Sequence, residues 1–185
     1  MKDYFKINTR TIVATGLGAA IFMLLFMYVK IPSPIPETSF QTAYGLSSFF
    51  AALFGPVAGG LIALIGHALS DAVQYGSPWW SWVIASGVSG VVFGFSYKRT
   101  KVEEGEFKLK DILTFNVIQV IGNIIAWVLV APVLDILIYQ EPANLVFTQG
   151  ITAAIMNSIS AGVIGTLLLI AYAATRTKRG SLSKK

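Results

Sequence analysis

The chain has 185 residues, no cysteine and a single histidine, which excludes disulfides, thiolate metal sites and multi-histidine metal sites. Hydrophobic residues make up 55% of it and charged residues only 12%, against about a quarter in an ordinary soluble domain, so the composition indicates an integral membrane protein. A net charge of +5 is compatible with nucleic acid or with an anionic membrane surface, and the positions of the basic residues decide between the two.

Long apolar stretches predict an all-α membrane protein, a compact bundle of six transmembrane helices in one domain over residues 1–185. The predicted spans are 11–29, 41–54, 57–74, 79–97, 112–133 and 150–174. Gly55 and Pro56 place a tight turn after the short second span, so the second and third should pack closely. The first span is also compatible with a signal peptide, but its apolar stretch is longer than a usual signal core and no cleavage pattern leads into a soluble domain.

Basic residues mark one side of the predicted bundle. Six spans place both termini on the same side as the 98–110 loop, and these three segments hold all but one of the 14 Lys and Arg residues. Cytoplasmic segments of membrane proteins carry an excess of Lys and Arg, so we predict a multi-pass membrane protein with both termini cytoplasmic. The same distribution explains the basic charge without a nucleic-acid partner.

The opposite side receives three connections, at 30–40, 75–78 and 134–149. The first has three prolines within five residues, which favour an extended, stiff flap over a helix. The third mixes apolar residues with Asp135, Glu141 and Pro142, as expected of a segment lying on or dipping into the membrane interface. Two substantial loops over a small bundle predict a covered pocket on the outer side.

The third span carries the first candidates for that pocket. His67 and Asp71 are spaced i, i+4 on one helix face, flanked by Ser70 and Gln74. They either pair to hold the bundle together or form the polar wall of a binding site. No nucleophile or oxyanion arrangement accompanies them, and P-loop, HExxH and GxSxG sequences are absent, so we predict neither an enzyme nor a bound metal or cofactor.

Polar and aromatic residues of other spans are predicted at the same depth in the membrane. The fifth span has a stripe at Asn116, Gln119, Asn123 and Trp127, and the sixth has Gln149 near its outer end and Asn157 deeper. We assign Asn123, Trp127 and Gln149 to the pocket, because a ligand site needs a few convergent polar groups among aromatic ones. Asn116 and Asn157 fit interhelical hydrogen bonding. Trp79, Trp80 and Trp82 fit the rim, although tryptophan is common at membrane interfaces whatever the function.

The run from Ser39 to Gly90, with GPVAG, GHALSD and GSPWWSW, resembles the substrate-binding S components of energy-coupling factor (ECF) vitamin transporters. The resemblance implies a subunit in a prokaryotic cell membrane that captures a vitamin from outside and works with a transmembrane coupling protein and two ATPases. It also implies that the small residues Ala14 and Gly18 of the first span contact the coupling protein. His67, Asp71 and Gln74 become pocket residues, with Trp79 and Trp80 at its rim.

The substrate stays open at the level of the sequence. A neutral lining of amides and aromatics suits a large, mostly uncharged ligand, and cobalamin is favoured through the resemblance. Hydroxymethylpyrimidine or thiamin is the alternative. Two other classes of function are compatible with the sequence: a stand-alone small permease and a purely structural membrane scaffold.

Overall fold

A computed structural model describes residue 5 and residues 7–176 of the chain, and most of these residues are helical. The α-helices are α1 (Thr9–Tyr28), α2 (Ala43–Phe54), α3 (Pro56–Tyr75), α4 (Trp80–Phe93), α5 (Leu109–Asn123), α6 (Ala131–Tyr139), α7 (Ala143–Ser160) and α8 (Thr166–Thr175). Short 3-10 turns follow at Gly94–Ser96 and Val102–Glu104. Two strands, β1 (Lys30–Pro32) and β2 (Ser39–Gln41), form an antiparallel hairpin.

Two of the helical segments are longer than the sequence predicts. A π-helical stretch at Ile124–Val130 joins α5 to α6, and another at Ala161–Gly165 joins α7 to α8. The predicted outer connection at 134–149 is therefore wrong as a loop, because only residues 140–142 separate α6 from α7. Pro132 lies inside the continuous helical segment Leu109–Tyr139, just after its π-helical stretch, and Pro142 precedes the first turn of α7. A proline removes one backbone donor from a helix, and helices bend at prolines and at π-helical stretches.

Four helical segments are long and apolar enough to cross a membrane: Thr9–Tyr28, Pro56–Tyr75, Leu109–Tyr139 and Ala143–Thr175. Two further apolar helices, Ala43–Phe54 and Trp80–Ser96, are shorter. A helix of 12 residues reaches about 18 Å, less than the roughly 30 Å of a bilayer core. The fold is thus that of an all-helical membrane protein, while six spans and cytoplasmic termini stay predictions. Six of the basic residues behind that orientation, Lys2, Lys6, Lys178, Arg179, Lys184 and Lys185, lie outside the described residues.

Close helix packing around α3 organises the bundle. A Cβ added at Gly59 would lie 2.6 Å from the Cβ of Ala51 in α2 and would also meet the backbone carbonyl of Gly90 in α4. Glycine therefore lets α2 and α4 approach the same point of α3, which confirms the close pairing of the second and third helices. On its other side α3 packs against α1 through Gly66 and Phe22.

The two ends of the bundle differ. At one end lie the β-hairpin, the short turn at Gly76 and the connection at 140–142; we call this the hairpin end. In the hairpin, Lys30 pairs with Gln41 and Pro32 with Ser39, so the two ends of the predicted flap are extended and residues 34–37 form the turn between them. At the opposite end, Arg10 of α1 forms a 2.9 Å ion pair with Glu103 of the connection between α4 and α5.

Candidate ligand-binding site

A cavity of about 740 Å³ lies at the hairpin end, between the β-hairpin and the ends of the helices. This volume falls in the range of about 300–1,000 Å³ that is typical of small-molecule sites. The cavity is lined by residues of the hairpin and of α1, α2, α3, α4, α6 and α7, together with the π-helical stretch at Ile124–Val130. Residues separated by more than a hundred positions in the sequence thus meet around one space.

Aromatic rings form the deep wall of the cavity. The rings of Trp82 and Trp127 stack with centroids 5.7 Å apart and planes at 22°. Tyr44 meets Trp127 edge-on at 5.2 Å, and Phe26 lies 4.3 Å from the ring of His67. Such pairs contribute about 0.5–1.5 kcal/mol beyond area burial. Tyr44 and Trp127 are each 1% exposed, so the partly buried rings of Phe26 and Trp82 are the ones that a ligand in the cavity can reach.

Ser86 of α4 connects the predicted histidine to this wall. The Nδ1 atom of His67 lies 2.6 Å from Ser86 Oγ, and the hydroxyl of Tyr44 lies 2.8 Å from the same atom. Ser86 Oγ also lies 3.1 Å from the backbone carbonyl oxygen of Trp82. A serine hydroxyl has one proton, so Ser86 Oγ donates either to that carbonyl or to His67 Nδ1. His67 Nε2 lies 3.4 Å from Asp71 Oδ1, where an N–H on Nε2 would face the carboxylate.

Two buried carboxylates hold the tryptophan-rich segment in place. Asp71 Oδ2 accepts the backbone N–H of Trp79 at 3.0 Å. Asp135 of α6 accepts three hydrogen bonds, from the indoles of Trp79 and Trp82 and from the hydroxyl of Ser81. All three of these groups donate to Asp135, as an ionised carboxylate requires. The start of α4 is therefore joined to both α3 and α6.

A ladder of side-chain amides supports Trp127 from below. The indole N–H of Trp127 donates to Asn123 Oδ1 at 2.9 Å, and Asn123 Nδ2 donates to Gln119 Oε1 at 2.9 Å. Gln119 Nε2 continues to Asn116 Oδ1, and Asn116 Nδ2 to Thr166 Oγ1 in α8. The stripe predicted on the fifth span is thus real, but all of it except Trp127 lies beneath the cavity and does not line it.

The hairpin is held over the cavity by two amide side chains. Gln149 Nε2 in α7 donates to the carbonyl of Pro36 at 3.1 Å. Lys30 Nζ donates to Gln74 Oε1 in α3 at 3.2 Å. These contacts attach the flap to opposite sides of the bundle, so the hairpin covers part of the ligand space.

The structure brings most of the predicted pocket residues together. His67, Asp71, Trp79, Trp127 and Gln149 line the cavity. The others lie near it without lining it: Gln74 holds the hairpin, Asn123 supports Trp127, and Trp80 is 48% exposed with its backbone N–H on the Tyr139 hydroxyl.

Several lining residues were not assigned to the pocket by sequence reasoning, among them Gln41, Tyr44, Asp135 and Asn157, while Trp82 was placed at its rim. Two of them carry buried acceptor atoms, Gln41 Oε1 and Asn157 Oδ1, that have no hydrogen-bond partner in the described part of the chain. Asn157 looked like a residue for interhelical contact, and no helical periodicity includes Gln41 at the end of the flap. In the described residues, no group of three or more His, Cys, Asp or Glu could hold a metal ion.

The two small residues assigned to a partner surface lie inside the bundle. Ala14 is 6% exposed, and a Cβ on Gly18 would lie 2.7 Å from Ile62 of α3. The outward face of α1 instead carries Gly16, which has no atom within 4 Å of an added Cβ, and the exposed Ala20.

Sequence comparison with known proteins agrees with a transport role for this site. Residues 6–174 match the family model described as ECF-type riboflavin transporter, S component. The chain is 53% identical to a UPF0397 protein of Enterococcus faecalis over 97% of this chain and 98% of that protein. It is 51% identical to a UPF0397 protein of Lacticaseibacillus casei over the full length of both chains. A UPF0397 protein of Clostridium perfringens is 52% identical over 97% of each chain. The names of these relatives state no substrate.

Proposed function

The chain belongs to the S-component family of ECF-type transporters, and on that basis we propose that its cavity is the site that captures a vitamin-sized substrate for import. The resemblance inferred from GPVAG, GHALSD and GSPWWSW is thereby confirmed. The observation that carries the proposal is the cavity itself: about 740 Å³, walled by stacked aromatic rings and covered by a tethered hairpin.

S components work with a coupling protein and ATPases, so transport requires partners that supply the energy. We propose that a transmembrane coupling protein docks against α1. Ala14 and Gly18 stay the residues predicted from the family pattern, but in this conformation Ala14 is buried and Gly18 packs against Ile62 of α3. Gly16 and Ala20 offer the same i, i+4 spacing of small residues on the exposed face, where another helix can approach closely.

For the substrate we propose a heterocyclic vitamin or precursor of moderate size. Cobalamin is the largest of the candidates, and a cavity of this volume suits a molecule of two or three rings better. Riboflavin enters as a candidate only because the matching family model carries its name. Thiamin and hydroxymethylpyrimidine fit the volume as well.

The decisive experiment is calorimetric titration of the purified, detergent-solubilised chain with cobalamin, riboflavin, thiamin and hydroxymethylpyrimidine. The proposal expects tight binding of one of them, copurification with the coupling protein and ATPases, and uptake into proteoliposomes only when ATP and those partners are present. Uptake by the chain alone without ATP would show a stand-alone permease instead. A folded protein that binds none of the four and copurifies with no partner would fit a membrane scaffold.

A further inference from the structure

The charges around the cavity are strongly one-sided. Four carboxylates line it, those of Glu37, Asp71, Asp135 and Glu141. Among the described residues, Lys30 is the one Lys or Arg that lines it. The chain as a whole carries a net charge of +5, so the acidic lining of this cavity has the opposite sign to the overall charge. The lining is therefore not the neutral one that the sequence indicates.

Two of these carboxylates are deeply buried. Asp71 is 4% exposed and Asp135 is 2% exposed. In the part of the chain that the structure describes, no Lys or Arg lies within ion-pair distance of either one. Lys30 donates to the amide of Gln74, and the one ionisable partner is His67, 3.4 Å from Asp71. A buried carboxylate without a cation is costly, because hydrogen bonds from neutral donors compensate its desolvation only in part.

Two acceptor atoms of lining residues lack a hydrogen-bond donor within the described chain, which also favours a ligand that donates hydrogen bonds. Gln41 Oε1 and Asn157 Oδ1 are buried and accept no hydrogen bond in the described structure, although both residues line the cavity. Asn157 is 3% exposed, so bulk water does not replace the missing donor. A buried acceptor that lacks a donor costs about 1–3 kcal/mol. Both oxygens are buried even in the empty cavity, so a ligand N–H can recover this cost only when the two amide side chains rotate toward it.

The aromatic wall completes a setting that favours positive charge. Phe26 and Trp82 are partly buried and line the cavity, and Phe26 packs on His67 beside Asp71. The face of an aromatic ring attracts a cation, and the attraction grows when the site is desolvated. Carboxylates, free acceptor oxygens and ring faces therefore all complement a donor-rich cation.

We propose that the substrate is an organic cation, a planar heterocycle with a positively charged or protonated nitrogen, whose charge is balanced by Asp71 and whose N–H groups bond Gln41 and Asn157. The inference rests on the proposed function, since it names the chemical class that the transport site takes. It separates the candidates by charge: thiamin carries a fixed positive charge, whereas riboflavin is neutral.

The first test identifies what the protein binds in cells. The full-length chain is purified under conditions that retain bound molecules and then denatured, and the released compound is analysed by mass spectrometry and cation exchange at pH 7. A cation supports the inference. A neutral or anionic compound overturns the inference and leaves the proposed function intact.

The second test uses matched probes on the purified protein. Thiamin and its neutral oxidation product thiochrome differ in charge, but thiochrome has also lost the free amino group and is a fused tricycle, so the charge is read from how Asp71→Asn changes the ratio of their affinities. We expect thiamin to bind at least about tenfold more tightly than thiochrome and Asp71→Asn to abolish most of this preference. Glu103→Gln removes one negative charge at the opposite end and should change neither affinity.

The outcomes distinguish the proposed S-component function from the inference that its substrate is a cation. Tight binding of riboflavin or cobalamin that Asp71→Asn leaves unchanged overturns the inference while the S-component function stands. Equal affinity for thiamin and thiochrome also overturns it. If Asp71→Asn does not fold, the charge of the compound that the unmodified chain releases in the first test decides. A folded protein that releases no compound and binds none of these probes contradicts the proposed function and the inference together.

Discussion

The carboxylate of Asp135 accepts the indole N–H of Trp82 at 2.8 Å and thereby joins α6 to α4 across 53 positions of sequence. Its other oxygen accepts the indole N–H of Trp79 at 2.6 Å. One side chain thus fixes the orientation of two tryptophans that line the cavity. Since Trp82 also stacks on Trp127, the position of Asp135 sets the shape of the aromatic wall.

We predict that Asp135→Asn weakens substrate binding and lowers stability. An asparagine has one acceptor oxygen and turns an amide NH₂ toward an indole N–H, which leaves a buried donor unpaired at a cost of about 1–3 kcal/mol. Thermal unfolding in detergent, followed by tryptophan fluorescence, measures the loss. Glu141→Gln is the control, because it removes a lining charge from a carboxylate that is only partly buried. Equal unfolding midpoints for the two variants would contradict the role given to Asp135.

Ser86→Ala should disturb the site more than Ser89→Ala, although both serines are fully buried on α4. Ser86 contacts His67 and Tyr44, whereas Ser89 donates only to the Ser86 carbonyl. Removal of the Ser86 hydroxyl leaves two side chains without their partner, so we expect a loss of affinity of tenfold or more, about 1.4 kcal/mol or above. Calorimetric titration of the two variants with the substrate compares them. A similar affinity for both would show that the Ser86 hydrogen bonds do not organise the cavity.

Asn123 should act on the ligand through Trp127, since it does not line the cavity. In Asn123→Ala the indole N–H of Trp127 and the amide of Gln119 both lose a buried partner, so stability and affinity should fall together. Trp127→Phe keeps an aromatic face and removes the N–H, so it should reproduce part of the loss. Asn144→Ala, at an exposed position in the first turn of α7, serves as the amide control. Full affinity in Asn123→Ala would mean that the ladder below the cavity has no effect on it.

Larger side chains should have different effects on the two faces of α1. Gly18→Leu places atoms against Ile62, and overpacking of this kind destabilises by about 1–3 kcal/mol. Gly16→Leu meets open space and should fold normally. If the coupling protein contacts the exposed face, Gly16→Leu reduces copurification with the coupling protein while substrate binding by the isolated chain is kept. Unchanged copurification would show that the coupling protein does not contact this face, and it would favour a contact at Ala14 and Gly18.

Part of the site follows from local sequence signals. The i, i+4 spacing on α3 places His67 and Asp71 on one face, and both line the cavity. The prolines of the flap exclude a helix there, because each fixes φ and removes a backbone donor. Asn123 was placed on the right face but at the wrong depth, since periodicity reports direction around a helix and not distance from a cavity.

Sequence alone determined the helical membrane character and the family, since long apolar stretches and short motifs are local properties that need no knowledge of neighbours. Only the tertiary structure brought Gln41, Asp135 and Asn157 to one cavity and buried Ala14 and Gly18 inside the bundle. The charge of the site is likewise decided by the tertiary structure. Four carboxylates spread over more than a hundred residues show no local pattern, and their sum around one space is decided by which helix ends pack together.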